Sequence, residues 1–460
     1  MTDNPLLLSL LQRLDEPAAR YHELDLYYRG EQPLAFLSPE AKTALGQRFG
    51  RMASNIPRLA VTALAERLRL TGFTGDAADL WADWIRNDLD QEAGVAHREA
   101  LLLGDSFVIV WADRVGRPKV TIESAKQVAV QLDPGTRQIT AAVKRWETKT
   151  TTEAVLYEPD QITRYRANAT GATVHGFTVV ETLANPLGVT PVVGIRNSDR
   201  ILSERGCSEI DDLKPLVDAL NKSLADMMVT SEYVGRPRRW ATGIELTEEP
   251  LVDGDGNPVV DVDGEIVMTE ANPIAENHRA MISENDQAKF GQLQSADLSG
   301  YEASVRVILG QIMAVSTLPA HYVGVFTDNP ASADALRAAE ASLTARAEAR
   351  QATFGRAWEQ VAKLMVAVRD GRDPLQVEAR VQWADAATRS VAQEADAVVK
   401  LHAAGLLPAS YALAKLGYSD DEILEIRAAR RAEALDSQGV NLVRSAPAAD
   451  AVPAQPRPAA

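Results

Sequence analysis

The sequence predicts an α+β protein, mostly helical, and three observations carry that prediction. Apolar residues recur at helical spacing from residue 5 to about residue 103. At Gly104-Asp105 the period shortens to that of strands, and turn signals punctuate the chain to about residue 194. From residue 207 the helical period returns and, interrupted by a turn-rich interlude over 241–290, a loop over 318–330 and a strand over 375–383, holds to about residue 435. Apolar spacings of three and four mark one face of a helix, whereas short β-branched and aromatic runs between Gly, Pro, Asn and Asp mark strands.

A first helix is expected over 5–30, from Leu7, Leu10, Leu11, Leu14, Leu24, Tyr27 and Tyr28, closed by Gly30 and Pro33. A second opens at Asn55-Ile56-Pro57, where asparagine suits an N-cap and proline a first turn, and stops before Gly72. A third covers about 76–103, with Leu80, Trp84, Leu89, Val95 and Leu101 inward. Phe107 to Trp111 has the composition of a buried strand. Turns at Asp133-Pro134-Gly135, Glu158-Pro159-Asp160 and Asn185-Pro186-Leu187-Gly188 separate the strands that follow. Strands grouped after helices argue for an α+β domain.

Beyond residue 207, Ile210, Leu213, Val217, Leu220, Leu224 and Met227 step 3-4-3-4-3. That narrow seam suits helix-on-helix packing. Pro215 either starts the regular helix or kinks it. Leu298, Tyr301, Val305, Ile308, Ile312 and Val315 repeat the same steps. Between the seams, 241–290 is dense in Asp-Gly turns around Val259-Val260 and Ile266-Val267-Met268, as short hairpins are. Leu318-Pro319 closes the second seam, and a loop runs to Asn329-Pro330. A long helix is expected over 331–369, with Leu336, Leu343, Ala347, Phe354, Trp358, Val361, Met365 and Val368 along one stripe. A strand over Leu375–Trp383 follows, then helices over 388–404, 408–416 and 419–435. The Ala- and Pro-rich tail, 437–460, is expected to be disordered.

The chemistry the residues could carry is sparse. There is no G-x-x-x-x-G-K-[ST], no G-x-G-x-x-G after a strand, no H-E-x-x-H and no G-x-S-x-G. Cys207 is the only cysteine, which excludes a disulfide or thiolate cluster within one chain; it reads as a structural thiol, with a nucleophile as the alternative. No apolar run approaches the roughly 18 residues of a membrane helix, and the N-terminus lacks a signal-peptide pattern. Asp253, Asp255 and Asn257 match positions 1, 3 and 5 of a calcium loop. Pro258 and Gly264 occupy positions that need glycine and glutamate, so an acidic hairpin turn is expected and no metal site. Arg236, Arg238 and Arg239 form the one dense basic cluster: either a solvated helix end or a contact for phosphate or an acidic partner. Asp253, Asp255, Asp261 and Asp263 follow it, and the two clusters could pair between identical neighbours. His321 to Phe326 is either a buried turn or a loop displaying aromatic residues. The net charge of −16 runs against a surface that grips phosphates. It fits a protein that never meets nucleic acid, or one past which DNA must slide.

The order of these pieces resembles the tailed-phage portal family, in the branch typified by a Bacillus siphophage portal and common in actinobacteriophages. The resemblance rests on Tyr27-Tyr28-Arg29-Gly30, Asn55-Ile56-Pro57, Leu70-Thr71-Gly72-Phe73, Gly104 to Val108, Asn185 to Val193, Ser208-Glu209-Ile210, Asp218 to Asn221 and Asn329 to Leu336, spread over about 15–435. It implies a portal fold: a wing over 1–206, stem helices over 207–236 and 297–317, and a clip over 237–296. A tunnel loop over 318–330, a spine helix and wing return over 331–387 and a crown over 388–436 complete it. The implied channel residues are Pro319, His321, Tyr322, Val323, Phe326, Asp328 and Asn329. Arg236, Arg238, Arg239, Asp253, Asp255, Asp261 and Asp263 would dock partners. Leu213, Val217, Leu220, Leu224, Leu298, Tyr301, Val305, Ile308 and Ile312 would form the stem seam. The family implies a homo-oligomeric ring, typically a dodecamer, at one capsid vertex of the virion, assembled in the host cytoplasm. Its partners would be double-stranded DNA as cargo, terminase, a head–tail adaptor and the major capsid protein, with no membrane, cofactor or catalysis. The missing P-loop agrees, since terminase would burn the ATP. The modest crown and the lack of a basic C-terminal region depart from the pattern. The competing readings are a capsid scaffold without DNA contact, and a metal-dependent enzyme built on Asp253 and Asp255.

Overall fold

The computed structural model describes residues 4–35, 53–235, 239–243, 247–254, 257–261, 264–271, 287–292, 298–325, 333–387, 391–418 and 420–444. The chain divides into two units, Met1–Ala386 and Ala387–Ala460.

The first unit opens with α1 (Pro5–Asp15) and α2 (Ala18–Arg29) where one helix was expected. Pro17 makes the break, because it has no N–H to donate and its ring crowds the preceding turn. α3 (Ile56–Ala65) follows, and Asn55 does not cap it through its side chain; it sits in the left-handed region at φ 50° with no capping hydrogen bond. The strand β1 (Leu70–Gly75) comes next. The helix expected over 76–103 is two, α4 (Trp81–Arg86) and α5 (Leu89–Leu103). Asn87 interrupts it: its amide donates to the carbonyls of Asp83 (2.9 Å) and Pro118 (3.0 Å) and accepts from the Val120 N–H (3.0 Å). These bonds commit Asn87 to the neighbouring strand, and Asp88 turns left-handed at φ 56°. Leu80, Trp84, Leu89 and Leu101 are buried as expected, but Val95 faces out at 41% exposure.

Eight strands follow: β2 (Asp105–Ala112), β3 (Pro118–Ser124), β4 (Val128–Leu132), β5 (Ile139–Glu147), β6 (Thr152–Tyr157), β7 (Gln161–Ala167), β8 (Thr178–Ala184) and β9 (Val192–Arg196). All the pairings are antiparallel; β4 to β8 form a five-stranded meander, and β3-β2-β9 a separate three-stranded sheet. α1 lays Leu7, Leu10, Leu11 and Leu14 on the meander, against Val143, Leu156 and Tyr165. Each such side chain is worth roughly 1.5–3 kcal/mol of burial.

The rest of the unit comprises α6 (Lys214–Gly235), the short strands β10 (Arg239–Thr242), β11 (Thr247–Pro250), β12 (Met268–Ala271) and β13 (Lys289–Gln292), then α7 (Ser299–Ser316), α8 (Ala333–Asp370) and β14 (Ala379–Trp383). β14 pairs with β1; it begins later than expected because Pro374–Gln376 forms a 3-10 turn. α8 has 38 residues, which at 1.5 Å each span roughly 57 Å. It threads the main core with Leu343, Ala347, Phe354, Trp358, Val361 and Met365, whereas Leu336 from the same stripe is 39% exposed.

At the centre of that core the Trp358 indole N–H donates to His97 Nε2 at 2.7 Å. Trp84 meets Trp358 edge-on at 5.1 Å, and His97 stacks on Phe354 at 5.5 Å. Burial pushes His97 down to about 3, so the ring is neutral. Because Nε2 accepts, the proton sits on Nδ1.

In the second unit, α9 (Val391–Ala403), α10 (Ala409–Lys415) and α11 (Asp420–Arg444) pack in succession. α11 runs beyond the expected end near 435, because no proline interrupts the chain before Pro447. Residues 445–460 of the expected tail lie outside the described residues.

Candidate functional site: the helix pair, its turn and the hairpin module

The chain enters α6 through a backbone crossing. A Cβ on Gly206 would lie 1.9 Å from the Gly104 carbonyl oxygen, and one on Gly104 would lie 2.3 Å from that of Gly206. Only glycine fits at either place. Glu209, 9% exposed, stands just beyond. Its carboxylate accepts from Asn197 Nδ2 (3.0 Å), Arg350 Nη2 (2.8 Å) and Arg346 Nη2 (2.6 Å), so two arginines of α8 close on the root of α6. A 3-10 turn, Asp211–Leu213, then leads into α6 at Lys214, so Pro215 starts the regular helix instead of kinking it.

α6 and α7 pack together. Their seam is not evenly buried: Leu213, Val217, Leu220 and Ile312 are sealed at 2% exposure or less. Leu224, Leu298, Tyr301, Val305 and Ile308 are only half-buried. Met228, Val307 and Val315 stand exposed at 44%, 66% and 38%. Thr230 Oγ1 donates to Tyr301 Oη at 3.2 Å. Among the described residues, part of this apolar surface is uncovered.

α7 ends at Thr317, which is left-handed at φ 59°. Leu318 and Pro319 are buried, and Ala320–Val323 forms a 3-10 turn. His321 and Tyr322 meet edge-on at 4.8 Å, and Tyr322 and Val323 pack against the main core. His321 Nε2 lies 3.5 Å from the Glu340 carboxylate, and the Arg67 guanidinium donates to Tyr322 Oη at 3.4 Å. The described part of this segment is a half-buried turn: none of Ala320–Val323 is fully buried, and Gly324 is exposed. Phe326, Asp328 and Asn329 lie outside the described residues.

Among the described residues, the module between the helices holds two-stranded ribbons, β10 with β13 and β11 with β12. Gly291 lies opposite Trp240, and a Cβ there would sit 2.4 Å from the indole, so glycine lets that ring cross the ribbon. The Asp253 carboxylate accepts from the Asn257 N–H (2.9 Å) and that of Asp261 from the Glu265 N–H (3.0 Å). Both aspartates are turn acceptors, as asparagine and aspartate commonly are. Leu251, Val252, Val260, Ile266 and Met268 beside them are 42–58% exposed. Arg239 begins β10, while Arg236, Arg238, Asp255 and Asp263 lie outside the described residues. Among the described residues no group of three or more His, Cys, Asp and Glu is placed to hold a metal ion. No described helix is long and apolar enough to cross a membrane.

The residues that tie this region to the body, Arg67, Glu209, Glu340, Arg346 and Arg350, carry no motif. Sequence reasoning flagged Glu209 only as part of a string and passed over the other four. The 346/350 spacing puts two arginines on one helical face, but nothing in it points to a carboxylate 141 residues earlier.

The chain thus combines an α+β body, a helix pair rooted in it with a half-covered apolar seam, and hairpin ribbons between the two helices in sequence. The profile described as "Phage portal protein, SPP1 Gp6-like" matches residues 8–435, and the chain belongs to that family of structural proteins. The portal protein of Mycobacterium phage L5 is 32% identical over 429 residues, covering 88% of this chain and 84% of that protein. The portal protein of Mycobacterium phage D29 is 31% identical over 426 residues, covering 87% and 83%. Among solved structures, a chain of "Virion of native gene transfer agent (GTA) particle" superposes with a TM-score of 0.44 at 13% identity, covering 87% of this chain and 93% of its own. One of "Neck of native GTA particle computed with C12 symmetry" gives 0.42 at 14%, covering 87% and 99%.

Proposed function

We propose that this chain is one subunit of a closed ring, a dodecamer, at a single capsid vertex. Double-stranded DNA passes through the ring during packaging and ejection. In this reading residues 1–206 are the wing, α6 and α7 the stem, 237–296 the clip, 318–330 the tunnel loop, α8 with β14 the spine and wing return, and 388–436 the crown. The observation that carries it, beside family membership, is the seam. In a ring, neighbouring copies would cover its half-buried outer residues, and apolar burial is the main driving force of association. The clip's ribbons support a docking role for terminase and the head–tail adaptor, since two-stranded ribbons with exposed apolar residues are marginal alone. The major capsid protein would surround the ring. The excess of acidic residues, repeated in every subunit, supports a channel that repels a duplex instead of gripping it. Counting copies per particle tests this: a portal occurs as one ring at one vertex, and a scaffold occurs throughout the shell.

A further inference from the structure

We propose that Arg67 is the positioning residue for the turn after α7: it fastens residues 318–323 to the α+β body, so that turn and body move as one piece. The consequence for DNA rests on the portal reading above; the mechanical claim does not.

Arg67 lies between α3 and β1 and is 8% exposed. Its guanidinium reaches three other segments. It donates to Tyr322 Oη on the turn (3.4 Å), to Glu340 Oε2 (3.2 Å) and Thr344 Oγ1 (3.3 Å) on α8, and to the Ala386 carbonyl (2.7 Å). The backbone at Arg67 is held as well. Gln351 Nε2 donates to its carbonyl (3.1 Å) and to that of Ala384 (3.0 Å), and the Ala384 N–H donates to the Arg69 carbonyl (2.8 Å). A planar fork of five donors can serve several acceptors in fixed directions, whereas an ammonium is a point charge on a flexible stem. The turn supplies its own half of the joint. Leu318 and Pro319 are buried beneath it, Tyr322 braces His321, and His321 faces the same Glu340 carboxylate that Arg67 holds. Glu340 therefore sees both a turn residue and a body residue, and Arg67 closes the triangle. If the portal reading holds, a push by DNA on the tunnel loop reaches the wing and spine through this joint.

The test uses the full-length chain with Arg67→Met and Glu340→Gln together, because removing one partner alone would strand a buried charge. A nitroxide is attached through Val325→Cys. Cys207→Ser in the parent and in every variant leaves the label a single thiol. In the parent background the spin-label spectrum is expected to be broad. In the double variant a sharp, mobile component appears, while ring assembly and the melting curve stay near the parent's, and particles built with the variant lose genome retention. Arg67→Lys keeps the charge opposite Glu340 but not the fork. A merely structural role predicts that lysine restores retention; positioning predicts a mobile label and retention still lost. An unchanged spectrum in either variant overturns the proposal, as does a mobile label with normal retention. Should the double variant fail to assemble, Arg67→Lys decides the matter by the same readouts. If parent particles themselves hold no genome, the portal reading fails, and the spectra still judge the joint.

Discussion

Glu209 at the root of α6 accepts Arg350 of α8 at 2.8 Å, with Arg346 on its other oxygen at 2.6 Å. The Glu209 side chain is only 4% exposed, and the arginines keep 16% and 28%. Removing one member of a buried pair leaves charge without a partner and costs roughly 3–5 kcal/mol. The arginines retain some water, so Glu209→Ala should cost about 3 kcal/mol, at the lower end of that range. Urea unfolding of the variant reads this directly. A loss below about 0.5 kcal/mol, the scale of an ordinary surface change, would show that the contact does not anchor the helix pair.

His97 gives a pH signature with a definite sign. Its folded value is pushed down to about 3 from 6.5. Above 6.5 neither state holds the proton. As pH falls through that value the unfolded chain takes up a proton that the folded chain refuses. Stability then falls by up to about 1.4 kcal/mol per pH unit. His97→Phe keeps an aromatic ring there but strands the Trp358 N–H, at a cost of about 1–3 kcal/mol at pH 7. The gap between parent and variant should narrow as pH drops from 7 to 5, measured by denaturant midpoints. Parallel curves would contradict a buried neutral imidazole.

What was legible in the sequence, and what was not, follows the range of the interactions. Seams such as Leu213-Val217-Leu220 were readable because burial imposes a local period. Breaks at Pro17 and Asn87 were missed for different reasons. Pro17 has its effect written in its ring, but the surrounding leucines kept the helical period on both sides. Asn87 breaks its helix only because Pro118 and Val120 offer it backbone partners from another element. The α6 anchor and the Arg67 joint span 141 and 255 to 319 positions, and no local pattern reports such distances. Val95 kept the period of its helix while the fold left that flank open. The family resemblance was legible as an ordered set of short strings, none of them sufficient alone.

The clip assignment predicts separability. Pro250 lies opposite Met268 at the end of the β11–β12 ribbon. Replacing the chain between them with Asn-Gly should close a two-residue hairpin turn. Thermal melting of the body should be unchanged, and rings should form, while terminase or adaptor docking is lost in particle assays. Normal packaging and tail attachment by this variant would refute the docking role.

A channel that lets DNA slide predicts weak binding in free solution. Affinity for a duplex comes mainly from neutralised phosphates and falls steeply with salt, and this chain carries 64 acidic against 48 basic side chains. Fluorescence anisotropy with a short duplex at physiological salt should show little binding by the assembled protein. Tight binding that weakens steeply with added salt would contradict the repelling channel.

The central claim is that the uncovered seam of α6 and α7 is closed by identical neighbours around a central hole. Electron microscopy of the purified full-length protein at micromolar concentration, with its mass measured in parallel, tests it most directly. The account predicts closed rings with an axial opening and a mass that is a multiple of 49.8 kDa. A monodisperse 49.8 kDa monomer, stable under those conditions with no ring in the images, would contradict it.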